Sequence, residues 1–358
     1  MKHPETMKTS RLYGIGDLRL EKAPVPEPGF GEVLLKIATV GTCGSDVHYY
    51  AEGAIGDAVV EDPITMGHEF SAWIAALGEG VAEEAPDLEV GALVAVEPAI
   101  PCGVCESCQH GHPNLCPHVQ FCGTPPIDGV FSEYAVMPAD NCFPLPEGFT
   151  PDEGALLEPL GVAIHAVDLA HMKPGQTVAV LGAGPIGLLT AAVARIAGAG
   201  EVLMTEPLDS RREFALEYCA DAVFNPESED VIGAIMEATG GRGVDVAFEA
   251  AGAAETPEHA ARVVRPGGKV IVIGIPSDDK MLMSASNVRR KGLTIKLVRR
   301  MKHTYPRAIA MVYSRMIDIS PLATHHFPLD RIKEAFELVE NYGDGVLRVM
   351  IEVGTEAD

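Results

Sequence analysis

The chain has 358 residues, 47% of them hydrophobic and only 6% aromatic, enough aliphatic material for about two ordered domains. A formal net charge of −24 excludes nucleic acid and anionic membrane as partners, since both recruit basic surface. Residues 1–7 lack the apolar core of a signal peptide and no uninterrupted apolar run reaches membrane-spanning length. A cytoplasmic chain is therefore expected, with its eight cysteines serving as thiols or metal ligands rather than disulfides.

From Arg11 to about Thr150, short apolar runs such as 32–40 and 92–96 are bounded by Gly and Pro. This predicts a β-rich domain with reactive side chains in its loops. Cys43 lies in Gly41-Thr42-Cys43-Gly44-Ser45-Asp46-Val47-His48, where flanking glycines are expected to let the backbone turn tightly. Met66-Gly67-His68-Glu69 follows. A thiol, an imidazole and a carboxylate suit zinc, and three protein ligands with an open position define a catalytic site. Glu158, in Leu156-Leu157-Glu158-Pro159-Leu160, is a fourth candidate, because an acid in an apolar segment needs a metal or a partner.

The most specific pattern is Cys102, Cys105, Cys108 and Cys116, with gaps of two, two and seven residues. Four thiolates so spaced reach one tetrahedral ion and leave no open position, which predicts a structural zinc that folds its own lobe. His110 and His112 are alternative ligands that the pattern does not need.

Past Pro159 the pattern changes. Residues 161–169 have helical character, 177–181 read as a buried strand, and Gly182-Ala183-Gly184-Pro185-Ile186-Gly187 opens an alanine-rich helix that runs to about Gly198. Between strand and helix this is a dinucleotide fingerprint. Gly182 makes the turn, Gly184 admits the pyrophosphate, Gly187 packs helix on strand, and the helix start with Pro185 and Ile186 faces the phosphates. The next strand, 201–205, ends in Glu206, placed to accept from adenosine ribose hydroxyls and repel a 2′-phosphate, so NAD is favoured over NADP. Arg211 could hold a phosphate or cover the adenine. Strand patterns at 243–249, 268–274 and 294–298 extend a parallel doubly wound sheet. Residues 281–292 read as a connector or oligomer contact. A helix from 304 to about 313, the pattern 332–339 and a closing strand at 348–353 form a tail expected to rejoin the β-rich domain.

Taken in order, Cys43, Gly67-His68-Glu69, the four spaced cysteines and the 182–187 turn resemble the zinc-dependent medium-chain dehydrogenases over nearly the whole chain. The resemblance implies an α/β chain: a GroES-like β-rich catalytic domain, residues 1–160 and 299–358, split around a Rossmann domain, 161–298. The active site would lie in the cleft between them, with one catalytic and one structural zinc per chain. Residues 43–49, 123–129, 158–160, Arg300 and 303–306 are similar to the polyol branch, implying NAD-linked oxidation of xylitol or sorbitol to the ketose and a homo-oligomer, dimer or tetramer. By the same resemblance Ser45 passes the proton outward and His48 is its next carrier, while a turn serine and a surface histidine are the alternatives. Glu158 ligates zinc or holds its water, Ile273 and Ile275 join the cofactor candidates, and Ser45, Phe121, Thr124, Glu158 and Arg300 contact substrate. Met301 stands where the branch commonly has Tyr, and Ala58 where it tends to have an aromatic, changes that by the same resemblance would remove bulk or a hydroxyl from the pocket wall. Cys122, Cys142 and Cys219 are packing residues. Two competing functions remain: a threonine or butanediol dehydrogenase, and a non-catalytic dinucleotide-binding or redox-sensing protein. The presence of Cys43, His68, Glu69 and Ser45 disfavours the second.

Overall fold

Ten consecutive residues, Glu32–Gly41 (β1), have a buried or half-buried side at every position, which makes this the organising strand of the first sheet in the computed structural model. Residues 3–276 and 279–354 are described. Positions 1–2 and 355–358 of the expected catalytic domain, and 277–278 of the expected Rossmann domain, lie outside the described residues. The chain divides into two compact units, Met1–Glu158 with Tyr305–Asp358, and Pro159–Thr304.

In the first unit, helix α1 (Gly44–Glu52) follows β1 and ends at Gly53, whose φ of 75° stops it in the left-handed region. Strand β2 (Glu69–Leu77) pairs antiparallel with β1, placing Gly41 opposite Glu69. Helix α2 (Pro151–Ala170) begins ten residues before the helical stretch expected at Gly161. The reason is a capping box: Thr150 Oγ1 accepts from the Glu153 N–H at 3.2 Å and Glu153 Oε2 accepts from the Thr150 N–H at 2.8 Å. With Pro151 at the first helical position, this start signal outweighs the Pro159 that lies inside the helix.

The second unit is a six-stranded parallel sheet. Its strands are β3 (Thr177–Leu181), β4 (Glu201–Thr205), β5 (Ala222–Phe224), β6 (Val244–Glu249), β7 (Val264–Val272) and β8 (Thr294–Leu297), in spatial order β5-β4-β3-β6-β7-β8. All neighbours run parallel. Helix α3 (Pro185–Ile196) leaves β3 through the glycine turn. The strand order reverses between β3 and β6, the switch point at whose carboxyl end such sheets bind dinucleotides.

The tail then returns. At the start of helix α4 (Tyr305–Tyr313) the buried Tyr305 hydroxyl donates to Val96 O at 2.7 Å, and its ring stacks on Phe143 with centroids 4.9 Å apart. Strands β9 (Ala323–Pro328) and β10 (Arg348–Glu352) complete the first sheet, with β10 antiparallel to β1. Between them, Phe336 of helix α5 (Ile332–Glu340) meets Tyr50 at 5.2 Å and Phe131 at 5.8 Å. Burying such an aromatic contributes about 1.5–3 kcal/mol. Among the described residues no helix is long and apolar enough to cross a membrane.

The fingerprint glycines are not equivalent. A Cβ on Gly187 would lie 1.9 Å from Gly182 O, whereas a Cβ on Gly184 would meet nothing nearer than Arg211 Nη1 at 3.7 Å. Gly187→Ala should therefore cost about 1–3 kcal/mol and lower Tm. Gly184→Ala should melt with the parent while losing NAD affinity. Thermal melts with titration of NAD check both, and equal melting of the two variants would contradict the packing role of Gly187.

Candidate active site and metal centres

The first cluster is built by sheet register. Because β1 pairs with both β2 and β10, Gly41 faces Glu69 on one side and Met350 on the other. Cys43 follows two residues after Gly41, and His68 immediately precedes Glu69. The Cys43 sulfur, a His68 ring nitrogen and a Glu69 carboxylate oxygen all come within 4.8 Å of one another.

Two expectations about this region are corrected. Cys43 caps the N-terminus of α1 and Glu69 opens β2, so these side chains sit at the ends of elements rather than in loops. Nor do Gly41 and Gly44 make a turn. Gly41 is a strand residue whose Cβ would lie 2.8 Å from Glu69 Oε2, so its role is to leave room for the carboxylate. The turn belongs to Gly67, at φ 94°.

Glu69 is 1% exposed, and both its carboxylate oxygens are buried without a hydrogen-bond partner. Arg348 Nη1 lies 3.2 Å from Oε2 and also donates to Thr42 O. Burial works against the Arg348 charge, but Glu69, Cys43 and Glu158 more than offset it and raise its pKa. A buried carboxylate with free lone pairs, beside a thiol and an imidazole, is a donor set that zinc satisfies.

Asp46 organises the same cluster. Fully buried, it accepts from the Cys43 N–H at 3.0 Å and the Gly67 N–H at 3.2 Å, and its Oδ1 lies 3.4 Å from His68 Nδ1. It thus ties together the two segments that carry the ligand candidates and turns His68 Nε2 toward the cluster, as carboxylates behind metal-binding histidines do. Burial pushes the His68 pKa down, but Asp46 and Cys43 outweigh it and leave it well above the ordinary histidine value. Metal entry must therefore displace a proton, and affinity should weaken as pH falls.

Neither Asp46 nor Arg348 was identified from sequence as functional. The signals were a capping spacing, Cys43-x-x-Asp46, and a lone charge inside the apolar run 346–351.

The remaining candidates spread more widely. Ser45 Oγ stands 3.5 Å from His68 Nε2, and His48 Nδ1 lies 3.2 Å from Glu52 Oε1. The Phe121 ring meets the His68 ring at 5.3 Å, and the Thr124 N–H donates to Phe121 O at 3.1 Å. Glu158 is buried in α2 and acts electrostatically on Arg348 and Tyr305, but stands outside the three-residue group. Arg300 follows β8 in the second unit. Met301 is 3% exposed, and a Cβ on Gly161 would lie 2.7 Å from its sulfur, so it packs against α2. Ala58 is half-buried in a two-residue strand.

The four-cysteine cluster is local. All four sulfurs lie within 4.8 Å of one another, with Gly103 and Gly111 at positive φ between them. The Cys102 and His118 N–H groups each donate to Cys116 Sγ at 3.4 Å. Backbone N–H groups of Val104 and Cys105 hold the Cys102 thiol down at about 6, while desolvation and neighbouring sulfurs push Cys108 up to about 12. Four crowded sulfurs cannot all ionise unless a cation joins them, so this set also fits zinc. Cys122, Cys142 and Cys219 are buried, with thiols pushed up to about 11, 12 and 12 by desolvation.

In the second unit Glu206, 4% exposed, accepts from the Ala183 N–H at 2.8 Å and the Leu208 N–H at 3.1 Å, which fixes it beside the glycine turn. Each oxygen keeps a further lone pair. Glu249, unnoticed in the sequence, receives the Ala251 and Gly252 N–H groups and the Thr256 hydroxyl on Oε1 at 2.8–2.9 Å. Its carbonyl also accepts from the Ile273 and Gly274 N–H groups. Ile273 is half-buried and Ile275 exposed at this carboxyl edge.

A parallel sheet reversing at its glycine turn, in a chain that also gathers a Cys–His–Glu group and a four-cysteine cluster, defines a zinc-dependent nicotinamide dehydrogenase. The comparisons agree. The alcohol dehydrogenase GroES-like domain matches residues 29–147 and the zinc-binding dehydrogenase domain matches residues 185–314. The chain is 38% identical over 348 residues to a sorbitol dehydrogenase of Bacillus subtilis, covering 97% of this chain and 98% of the relative. It is also 38% identical to a protein named probable D-xylulose reductase A in Aspergillus clavatus, with 92% of each chain covered. A solved 2R,3R-butanediol dehydrogenase of Bacillus subtilis superposes with a TM-score of 0.85 at 30% identity, covering 97% of this chain and 99% of the other. The chain belongs to the zinc-binding alcohol dehydrogenase family, an enzyme family that works with NAD and zinc.

Two variants separate the clusters. Arg348→Ala leaves Glu69 buried without its counter-charge and should cost about 3–5 kcal/mol in metal-free protein, with added zinc restoring part of the loss in thermal melts. Cys102→Ser should halve the zinc measured per chain and lower Tm. Unchanged zinc content and melting would refute the structural site.

Proposed function

We propose that this enzyme oxidises a secondary hydroxyl of a polyol, xylitol or sorbitol, to the ketose with NAD as hydride acceptor. The observation that carries the reading is the buried Glu69 carboxylate, its oxygens without hydrogen bonds, grouped with Cys43 and His68. The polyol relatives give it a substrate class. On this reading residues 1–160 and 299–358 form the catalytic domain and 161–298 the cofactor domain. Cys43, His68 and Glu69 hold the catalytic zinc, with Glu158 as a direct ligand or the holder of a bound water. Cys102, Cys105, Cys108 and Cys116 hold the structural zinc.

When bound, zinc supplies the Lewis acidity that lowers the substrate hydroxyl's pKa, and NAD takes the hydride. The chain's own residues do the rest. Asp46 fixes the His68 ring, and Arg348 neutralises part of the Glu69 charge. Ser45, 3.5 Å from His68, receives the released proton, and His48, held by Glu52, passes it outward. Phe121, Thr124 and Arg300 contact substrate. Glu206 selects NAD over NADP by occupying the space of a 2′-phosphate. Arg211, beside Gly184, together with Ile273 and Ile275, completes the cofactor contacts.

Eight cysteines without a disulfide suit a reducing cytoplasm, and by family resemblance the protein is a dimer or tetramer of identical chains. A second reading, a butanediol dehydrogenase, is favoured by the 30% identical structure of that activity. The test is NADH absorbance on mixing enzyme and NAD with xylitol, sorbitol, threonine or 2,3-butanediol, before and after chelation. Chelator-sensitive NADH formation with xylitol or sorbitol is expected. Activity confined to butanediol or threonine would move the substrate class, and none in zinc-loaded protein would leave a binding protein.

A further inference from the structure

Glu249 ends β6 and is 1% exposed. Its Oε1 accepts three hydrogen bonds, from the Ala251 N–H at 2.9 Å, the Gly252 N–H at 2.8 Å and the Thr256 hydroxyl at 2.8 Å. Its carbonyl accepts from the Ile273 N–H at 2.8 Å and the Gly274 N–H at 3.1 Å. One residue therefore ties together two segments, 250–255 leaving β6 and 273–275 leaving β7. A carboxylate that gathers N–H and O–H donors holds them more tightly than a neutral acceptor does.

The two segments pack backbone to backbone. A Cβ on Gly274 would run into Gly252 N and lie 2.6 Å from Glu249 Oε2, and a Cβ on Gly252 would lie 2.7 Å from Ile275 O. The first segment also rests on the glycine turn. A Cβ on Gly182 would lie 3.0 Å from Ala250 O and from Ala251 Cα, and the Ala250 N–H donates to Leu181 O at 2.8 Å. The turn after β3 and the segments after β6 and β7 thus form one continuous surface at the carboxyl edge of the sheet. Ala251 and Ile275 are exposed on it, and Ile273 is half-buried.

Strand order decides what such a surface would carry. A dinucleotide is two nucleoside halves joined at a pyrophosphate. With the pyrophosphate at the 182–187 turn after β3 and the adenosine ribose beside Glu206 at the end of β4, the other half leaves the turn in the opposite direction. The strands met there are β6 and then β7.

We propose that Glu249 is a positioning residue for the nicotinamide half of the cofactor. It holds 250–252 against 273–275 and so keeps in place the apolar floor on which the nicotinamide riboside is seated, without touching the cofactor itself. This rests on the cofactor placement proposed above. Segments fixed before the ligand arrives lower the entropic cost of binding, and the loss of Glu249 would return that cost to one half of the ligand only.

The test compares, by calorimetry on zinc-loaded enzyme without substrate, the affinities for NADH and for ADP. ADP keeps the adenosine and both phosphates and lacks the nicotinamide riboside. Glu249→Ala should weaken NADH binding about tenfold or more while ADP affinity stays within about twofold, and the emission of bound NADH should move toward that of free NADH. Glu249→Gln, which keeps an acceptor oxygen in place, should recover most of the NADH affinity. Gly274→Ala, which wedges the two segments apart with Glu249 present, should repeat the selective loss and stands in if Glu249→Ala fails to fold. Because both affinities are read on one preparation, a partial loss of folding cancels. Equal weakening of NADH and ADP, or unchanged NADH affinity, overturns the positioning role and leaves the cofactor placement standing. Parent enzyme that binds neither ligand overturns the placement as well.

Discussion

Glu69 carries a carboxylate to a place where water reaches 1% of it and no hydrogen bond meets either oxygen. Such a charge is tolerable only among cations, and the surrounding structure is arranged to supply them. Gly41 omits a side chain so that the carboxylate fits, and the β1–β2 register places it. Arg348 arrives from a strand at the far end of the chain. That last contact explains why the tail must return: a chain ending after β8 would leave the first sheet without β10 and Glu69 without its counter-charge. Tyr305, Phe336 and the β10–β1 ladder hold the returning segment in place.

The two metal clusters differ in how they depend on the fold. The four cysteines lie within fifteen residues and are shaped by their own turns and backbone N–H donors, so folding of that lobe and metal binding are one local event. The Cys43–His68–Glu69 group exists only when β1 and β2 are in register, and its counter-charge Arg348 needs β10 as well. A one-residue slip of β2 would send Glu69 to the opposite face of the sheet.

That difference governs what could be read from the sequence. The cysteine spacing, the 182–187 turn between strand and helix, and Glu206 are short-range patterns whose meaning survives without tertiary information. Five of the six parallel strands followed from their apolar runs for the same reason, whereas the three-residue edge strand β5, half-buried throughout, was too short to show in the sequence. Asp46 was in view as one residue of a motif, yet its role needs Gly67 brought beside α1, and Arg348 needs β10 docked on β1. Sequence shows which residue follows Arg300 but not that the missing side chain of Gly161 leaves room for the Met301 sulfur. The early start of α2 was legible in Thr150-x-x-Glu153 and was obscured by weight given to Pro159.

Three buried glutamates show how hydrogen-bond satisfaction separates roles that composition cannot. Glu249 collects two backbone N–H groups and a hydroxyl on one oxygen, and Glu206 collects one N–H on each. Both are held by the loops they tie, and they shape the carboxyl edge of the parallel sheet before any ligand arrives, which reduces the ordering cost of binding. Glu69 is as deeply buried as either, but the backbone gives it nothing. A fold that routinely pairs its buried acids with N–H donors has left this one open beside a thiol and an imidazole. The missing hydrogen bonds therefore mark the metal position more sharply than burial or residue type does.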